Sequence, residues 1–219
     1  RWQADVIVAG GGLAGICAAI ELLDRGRRVL LLDRDAEENL GGLAKESFGG
    51  IWFAGTPLQR RYGIRDGAAL GLADWLAFGE IPAEARWPRT WAEAYVERCV
   101  PEVYEWLLGQ GLQFMPMPMW VERGLHVPGN SVPRWHIVWG TGHELAVVLA
   151  RRLLEHPQRE RLALRFGCRV DEILSSQGRV NGCRGTVEAA GVPFEAAAEA
   201  VIIAAGGING DLDRVRRHW

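Results

Sequence analysis

The sequence predicts an α/β fold: a parallel sheet with helices on both faces, carrying an antiparallel three-stranded β-meander as an insertion. Three observations predict it. Residues 5–33 read as strand, glycine turn, helix and strand within the length of one βαβ unit. Three β-rich runs between residues 169 and 197 are separated by turns too short for a crossover. The wholly apolar run Ala200-Val201-Ile202-Ile203-Ala204 suits a strand of a sheet covered on both faces.

The first unit carries the chemistry. Asp5 to Ala9 is a buried strand running into Gly10-Gly11-Gly12; Ile16 to Arg25 is a helix, and Arg28 to Leu32 a second strand ending on Asp33. The glycines are spaced G-x-G-x-x-G at Gly10, Gly12 and Gly15, and an acid follows 18 residues after the last. Gly10 allows a sharp turn, Gly12 lets a pyrophosphate approach the backbone, and Gly15 lets the helix pack closely. The helix N-terminus offers unpaired N–H groups to phosphate. Asp33 stands where a carboxylate accepts from a ribose diol and repels a 2′-phosphate, which disfavours NADP and leaves NAD and FAD.

The polar stretch Arg34–Asn39 leads into Leu40–Gly50, which holds two Gly-Gly pairs, Gly41-Gly42 and Gly49-Gly50. Such a run is expected to be an extended loop, a second wall for a ligand. Asp66–Phe78 is predicted helical with Asp66 as N-cap. Thr90 to about Leu108 follows as a helix with a Thr90/Glu93 capping box; Pro101 makes it two helices or one kinked helix. Trp75, Trp87, Trp91 and Trp106 are read as core packing. Residues 113–139 are irregular and hold His126 and His136, read as structural or solvated. Gly140-Thr141-Gly142 opens a helix running from His143 to about His156. Leu162–Phe166 is a strand, and the meander follows as Arg169–Leu174, Arg179–Val187 and Val192–Ala197. Ala205-Gly206-Gly207 comes after the last strand, and Asp211 is placed to cap a short helix.

Composition excludes several function classes. A net charge of −2 points to neither nucleic acid nor an anionic membrane. No apolar run approaches the ~18 residues of a membrane span. Cys17, Cys99, Cys168 and Cys183 form no C-x-x-C pair and no zinc spacing with histidine, so no metal is expected and a reducing, cytoplasmic setting fits. The sequence starts at Arg1, without Met, as in a processed or partial chain.

Taken in order, Gly10–Gly15, Asp33, the paired glycines of residues 41–50, the meander and Ala204-Ala205-Gly206-Gly207 resemble the FAD-binding part of the fumarate reductase/succinate dehydrogenase flavoprotein superfamily. They are most similar to its branch of FAD-binding dehydrogenases related to 3-ketosteroid Δ1-dehydrogenases. Two runs carry that finer likeness, residues 39–50 and residues 129–142. The resemblance covers nearly the whole chain.

The resemblance implies a Rossmann-like FAD-binding domain over residues 1–219. Gly10, Gly12, Leu13, Ala14 and Gly15 would hold the pyrophosphate, with Asp33 and Arg34 at the adenosine ribose. Gly41, Gly42, Leu43, Ser47, Gly49 and Gly50 would run beside the ribityl chain and flavin, and Val170 would meet the adenine through its backbone. Ala204, Ala205 and Gly206 would close over the dinucleotide; relatives usually carry Thr where Ala205 stands. Leu43 occupies the position of the histidine that bonds covalently to FAD in respiratory members, so noncovalent FAD is expected. The family's cap domain and final glycine motif are not matched. The chain is therefore expected to be the N-terminal portion of a longer flavoenzyme, and no catalytic residue is nominated. The implied reaction is hydride transfer between flavin and a CH–CH or C=C bond beside a carbonyl, on a small-molecule substrate that is steroid-like, an enone or a dicarboxylate. Two other readings stay open on sequence: a flavoprotein of hydroxylase or amine oxidase type, and a non-catalytic dinucleotide-binding domain.

Overall fold

A computed structural model describes residues 2–218; Arg1 and Trp219 lie outside the described residues. In chain order the elements are β1 (Trp2–Gln3), β2 (Val6–Ala9), α1 (Leu13–Asp24), β3 (Val29–Leu32), β4 (Gly50–Trp52), α2 (Pro57–Arg61), α3 (Ala68–Phe78), α4 (Arg86–Arg98), α5 (Glu105–Gly109), β5 (Trp135–Ile137), α6 (Thr141–Leu154), β6 (Leu162–Arg165), β7 (Cys168–Ser176), β8 (Arg179–Val187), β9 (Val192–Ala197), β10 (Ala200–Ile203) and α7 (Leu212–His218). They fall into two compact units, one of residues 1–44 with 149–219 and one of residues 45–148.

The first unit holds the parallel sheet, in the order β10-β2-β3-β6. Its registers are Ile7 with Leu30 and Val201, and Leu30 with Ala163. The strands are runs of Val, Ile and Leu because a sheet packed on both faces takes apolar side chains at every position. All four residues of β3 are buried, and α1 buries Gly15, Ile16, Ala19, Ile20 and Leu23. The meander forms as expected, with β9, β8 and β7 antiparallel, and β1 adds to it parallel to β9. A buried cluster of Ala4, Ile7, Leu30, Leu32, Cys168, Cys183 and Ala196 joins the two sheets. The last strand departs from expectation. β10 is an edge strand, and Ile203 on it is 70% exposed rather than covered.

In the second unit β4 pairs antiparallel with β5, and the remaining structure is helix and loop. Where the sequence passes from the first unit to the second, residues 42–46, expected to be extended, form a short 3-10 turn, and residue 42 takes φ +59°. The predicted long helix is broken at Pro101. Its lack of an N–H interrupts the helical ladder, and Cys99–Tyr104 adopts a π-helical turn between α4 and α5. The capping box does not form. α4 begins earlier, at Arg86, and Thr90 Oγ1 bonds the Arg86 carbonyl inside the helix. Trp75 packs with Trp52 and Tyr95, whereas Trp87 and Trp91 are 63% and 73% exposed, against the expectation of core.

The second unit is held by buried charge. Asp66 is not the cap of α3; Gly67 is, and the Asp66 side chain is spent on Arg134. Arg134 Nε and Nη2 donate to the two Asp66 oxygens at 2.8 and 2.9 Å, and Nη1 donates to Asp74 and to Asn130 Oδ1. The Arg134 and Asp66 side chains are fully buried. Burial alone would raise the Asp74 carboxyl, but hydrogen bonds from Ser131 and Arg134 hold it below the usual range.

His136 lies beside this network, buried against Phe53, Tyr104 and Phe114. Its Nδ1 is 2.7 Å from the Arg134 carbonyl, which only accepts, so Nδ1 carries the proton. Nε2 then accepts from Thr56 Oγ1 at 2.8 Å. Burial lowers the ring's pKa from 6.5 to about 4. The unfolded chain therefore binds this proton first as pH falls. Stability from His136 is complete above the unfolded value and is lost as pH drops from about 6.5 toward 4. Denaturation midpoints measured from pH 7 to 4 should decline across that window, by up to roughly 3 kcal/mol in stability. His136→Gln should flatten the decline. An unchanged slope in that variant would assign the acid sensitivity to other groups.

Candidate functional site

The chain leaves β2 toward β3 on one side and later returns to β10 on the other. The glycine turn after β2 therefore stands at the sheet's topological switch point, where open α/β sheets take ligands. Gly10 has φ +112°, and an added Cβ there would overlap the Ala204 carbonyl. Ala204 is tied in by its N–H to the Ala9 carbonyl at 2.8 Å. An added Cβ on Gly15 would overlap the Gly10 carbonyl oxygen, so this glycine packs α1 against the turn itself. Gly12 is different: an added Cβ would meet nothing within 4 Å. It leaves bare backbone at the start of α1, with Leu13 partly buried and Ala14 exposed beside it.

The first glycine pair closes on this turn. Gly41 forms a parallel bridge with Gly12, its N–H donating to the Gly11 carbonyl at 2.8 Å. An added Cβ on Gly42 would lie 3.3 Å from the Gly12 Cα. Leu43, just beyond, is 84% exposed. The structure thus brings Gly10, Gly12, Gly15, Gly41, Gly42 and Ala204 together in the first unit. Ala205 and Gly206 continue from Ala204 as exposed backbone, Gly206 with φ +75°.

Asp33 ends β3 beside the turn. Its Oδ2 accepts from the Gly11 N–H and its Oδ1 from the Asp35 N–H at 2.7 Å. Each carboxylate oxygen keeps a second lone pair, the acceptor capacity that a ribose diol needs. Gly11 lies outside the G-x-G-x-x-G spacing, yet an added Cβ there would lie 2.6 Å from Asp33 Oδ2. Three consecutive glycines were the signal. Arg34 turns its side chain to Glu188. Val170 pairs with Gly185 just before a register shift in the β7–β8 ladder, and its side chain packs on the buried cluster. A β-bulge of this kind re-aims backbone groups.

The second glycine pair lies in the second unit and has its own frame. Ser47 Oγ accepts from the Gly49 N–H, and the Ser47 carbonyl accepts from Gly142 at 3.1 Å. Gly49 has φ +75°, and an added Cβ would lie 2.5 Å from the Thr141 and Gly142 backbone. Thr141 itself takes φ +65°, rare for a β-branched residue. The Gly140–Gly142 turn, expected to open a helix, also braces the glycine loop. Gly50 begins β4, with the Phe48 ring lying over it.

Bare glycine backbone at a helix start, an acid with spare acceptor capacity and a switch point together fit a dinucleotide. Among the described residues no group of three or more His, Cys, Asp or Glu side chains is placed to hold a metal ion. No described helix is long and apolar enough to cross a membrane.

Comparison with known proteins agrees with this reading. The chain is 45% identical to a KsdD-like steroid dehydrogenase of Mycolicibacterium smegmatis, over 99% of this chain and 42% of that protein. It therefore spans less than half the length of that relative. Among solved structures it is similar in fold to the 3-ketosteroid-Δ4-(5α)-dehydrogenase of Rhodococcus jostii, with TM-score 0.79 and 24% identity over 100% of this chain and 49% of that one. A flavocytochrome c3 fumarate reductase gives TM-score 0.77 at 20% identity, over 100% of this chain and 36% of that one. The sequence profile described as "FAD binding domain" matches residues 5–219, and the chain belongs to that FAD-binding family.

Proposed function

We propose that this chain is the FAD-binding, N-terminal portion of a longer flavin oxidoreductase. The enzyme moves a hydride between flavin and a CH–CH or C=C bond beside a carbonyl, on a steroid-like ketone. The observation that carries the proposal is the turn at Gly10–Gly15, stitched to Gly41 and flanked by Asp33. The 45% identity to a protein named as a steroid dehydrogenase supports the substrate class. The exposed edge strand β10 supports a further segment of chain beside it.

FAD, when bound, supplies the hydride chemistry. The residues here bind and orient. Gly12, Leu13, Ala14 and Gly15 present N–H groups to the pyrophosphate, with Gly10 shaping the turn. Asp33 accepts from the ribose, with Arg34 beside it, and Val170 offers backbone to the adenine. Ala204, Ala205 and Gly206 cover the dinucleotide. Gly41, Gly42, Leu43, Ser47, Gly49 and Gly50 serve the ribityl and flavin half. Leu43, which stands at the position of the respiratory members' covalent histidine, has no nucleophilic atom, and this supports noncovalent FAD. The cysteine spacing, without a C-x-x-C pair, supports a reducing, cytoplasmic setting.

Asp33→Ala should weaken FAD binding by about 1–3 kcal/mol, the scale of a hydrogen bond to a charged group. Flavin fluorescence titration of the intact protein, with thermal unfolding as control, measures it. Wild-type affinity in a folded variant would remove Asp33 from the ribose. The reaction is tested anaerobically on the full-length holoenzyme. A 3-ketosteroid should bleach the oxidised flavin, and acid precipitation should release FAD into the supernatant. A parallel assay in air separates the other class: NADPH-driven oxygen uptake with a hydroxylated product would instead indicate a monooxygenase.

A further inference from the structure

Arg34 follows directly after the acid read above as the ribose acceptor, and in dinucleotide folds an arginine at such a place accommodates a 2′-phosphate. Here its side chain is engaged elsewhere. Arg34 Nε donates to Glu188 Oε2 at 2.8 Å, and Glu188 Oε1 accepts from Arg169 Nη1 at 2.9 Å. Arg169 Nε donates to Asp171 Oδ1 at 2.7 Å, and Thr186 Oγ1 donates to the other Asp171 oxygen at 2.9 Å. Charge alternates along this row. Arg34 holds the Glu188 carboxyl below its usual range, and Arg169 does the same for Asp171. Backbone bonds fix the row beside Asp33: Cys168 N–H donates to the Asp33 carbonyl, Gly167 N–H to Asp35, and Glu188 N–H to Gly167. Around the ribose acid, Arg34 and Arg169 stand against Asp33, Asp35, Asp171 and Glu188, a local excess of negative charge.

We propose that Glu188 is a specificity-determining residue: by holding Arg34 it denies a 2′-phosphate its cation and reserves the site for dinucleotides with a free ribose diol. The proposal rests on the reading of Asp33 as the ribose acceptor. These ion pairs lie at the surface, where each contributes little to stability. The consequence therefore falls on the charge and direction of one guanidinium rather than on folding.

The test uses the intact protein freed of flavin and titrated with 5′-ADP and with 2′,5′-ADP. Wild type should prefer 5′-ADP. Glu188→Gln should move the affinity ratio toward 2′,5′-ADP by about fivefold at low ionic strength, a gain that shrinks at high salt. Glu188→Asp should keep the wild-type ratio, and Glu188→Gln in an Arg34→Ala background should show no gain. An unchanged ratio in a Glu188→Gln protein that still binds 5′-ADP overturns the proposal, as does a gain that persists without Arg34. A wild type that binds neither nucleotide overturns the reading of the site and this proposal with it, so the two failures are distinguishable.

Discussion

Replacing Arg134 by methionine should destabilise the protein by about 3–5 kcal/mol, the largest stability effect expected of any single substitution here. The size follows from what remains behind. Asp66 is fully buried and takes a charge-assisted hydrogen bond from Arg134 on each of its oxygens, and Asp74 takes another. Without the guanidinium, the Asp66 carboxylate sits in a dry interior with too few donors, and Asp74, 12% exposed at the edge of the network, loses its cation. Gln59 Nε2 still reaches Asp66 at 2.8 Å, and Ser131 still serves Asp74, so the loss is not total. Trp52 also loses the cation whose centre lies 5.2 Å from its ring. Thermal unfolding of the intact protein should fall by roughly 6–20 °C. A second substitution separates burial of charge from loss of shape. Asp66→Leu added to Arg134→Met should recover part of the loss, because removing both partners leaves less unpaired charge. If the double variant is as unstable as the sum of the singles, the network acts through packing and not through charge.

That network was not legible in the sequence, and the reason is physical. Asp66 stood one residue before a helix, where a short-range rule makes it a cap. The bond that outcompeted the cap comes from Arg134, 68 residues away, and nothing local announces it. Thr90 failed in the same way: local spacing proposed a box, but the helix began four residues earlier. The first unit was legible because its signals are local and backbone-determined. Val6–Ala9, the glycine turn and Val29–Leu32 each declare their geometry within a few residues, and the meander follows from turns that permit only antiparallel return. Of the candidate site, the three motif glycines and Asp33 were readable at once. The bridge from Gly41 to Gly12, the Gly11 bond to Asp33 and the tie from Glu188 to Arg34 were not, since each joins segments whose separation in sequence carries no period. The exposure of Ile203 was missed for a further reason. An apolar strand looks the same at the edge of a sheet as at its centre.

The glycines of one motif should fail in opposite ways, and that contrast tests the site most directly. Gly15→Ala places a methyl into the Gly10 carbonyl oxygen, with Val8 Cγ1 3.3 Å away on another side. The obstruction is backbone at the end of a buried strand, so α1 must move off the sheet. Overpacking of this kind costs about 1–3 kcal/mol or more in stability, and FAD binding should be lost with the turn. Gly12→Ala meets nothing within 4 Å, and Gly12 already has φ −73° and extended backbone, which alanine adopts freely. Gly12 is also the N-cap of α1, where alanine is poorer than glycine, so the free variant should unfold within about 1 kcal/mol of wild type. The open space above Gly12 is nonetheless where the pyrophosphate is proposed to meet the N–H groups of α1. A methyl standing there should weaken FAD by about tenfold to a hundredfold, a cost of ~1.4–3 kcal/mol. Thermal unfolding and flavin titration of both variants, run on the intact protein, give four numbers from two substitutions. Gly12→Ala with wild-type stability and wild-type FAD affinity would place the pyrophosphate away from this turn. Gly15→Ala with unchanged unfolding would mean that α1 and the turn are not packed as closely as Gly15 and Gly10 require.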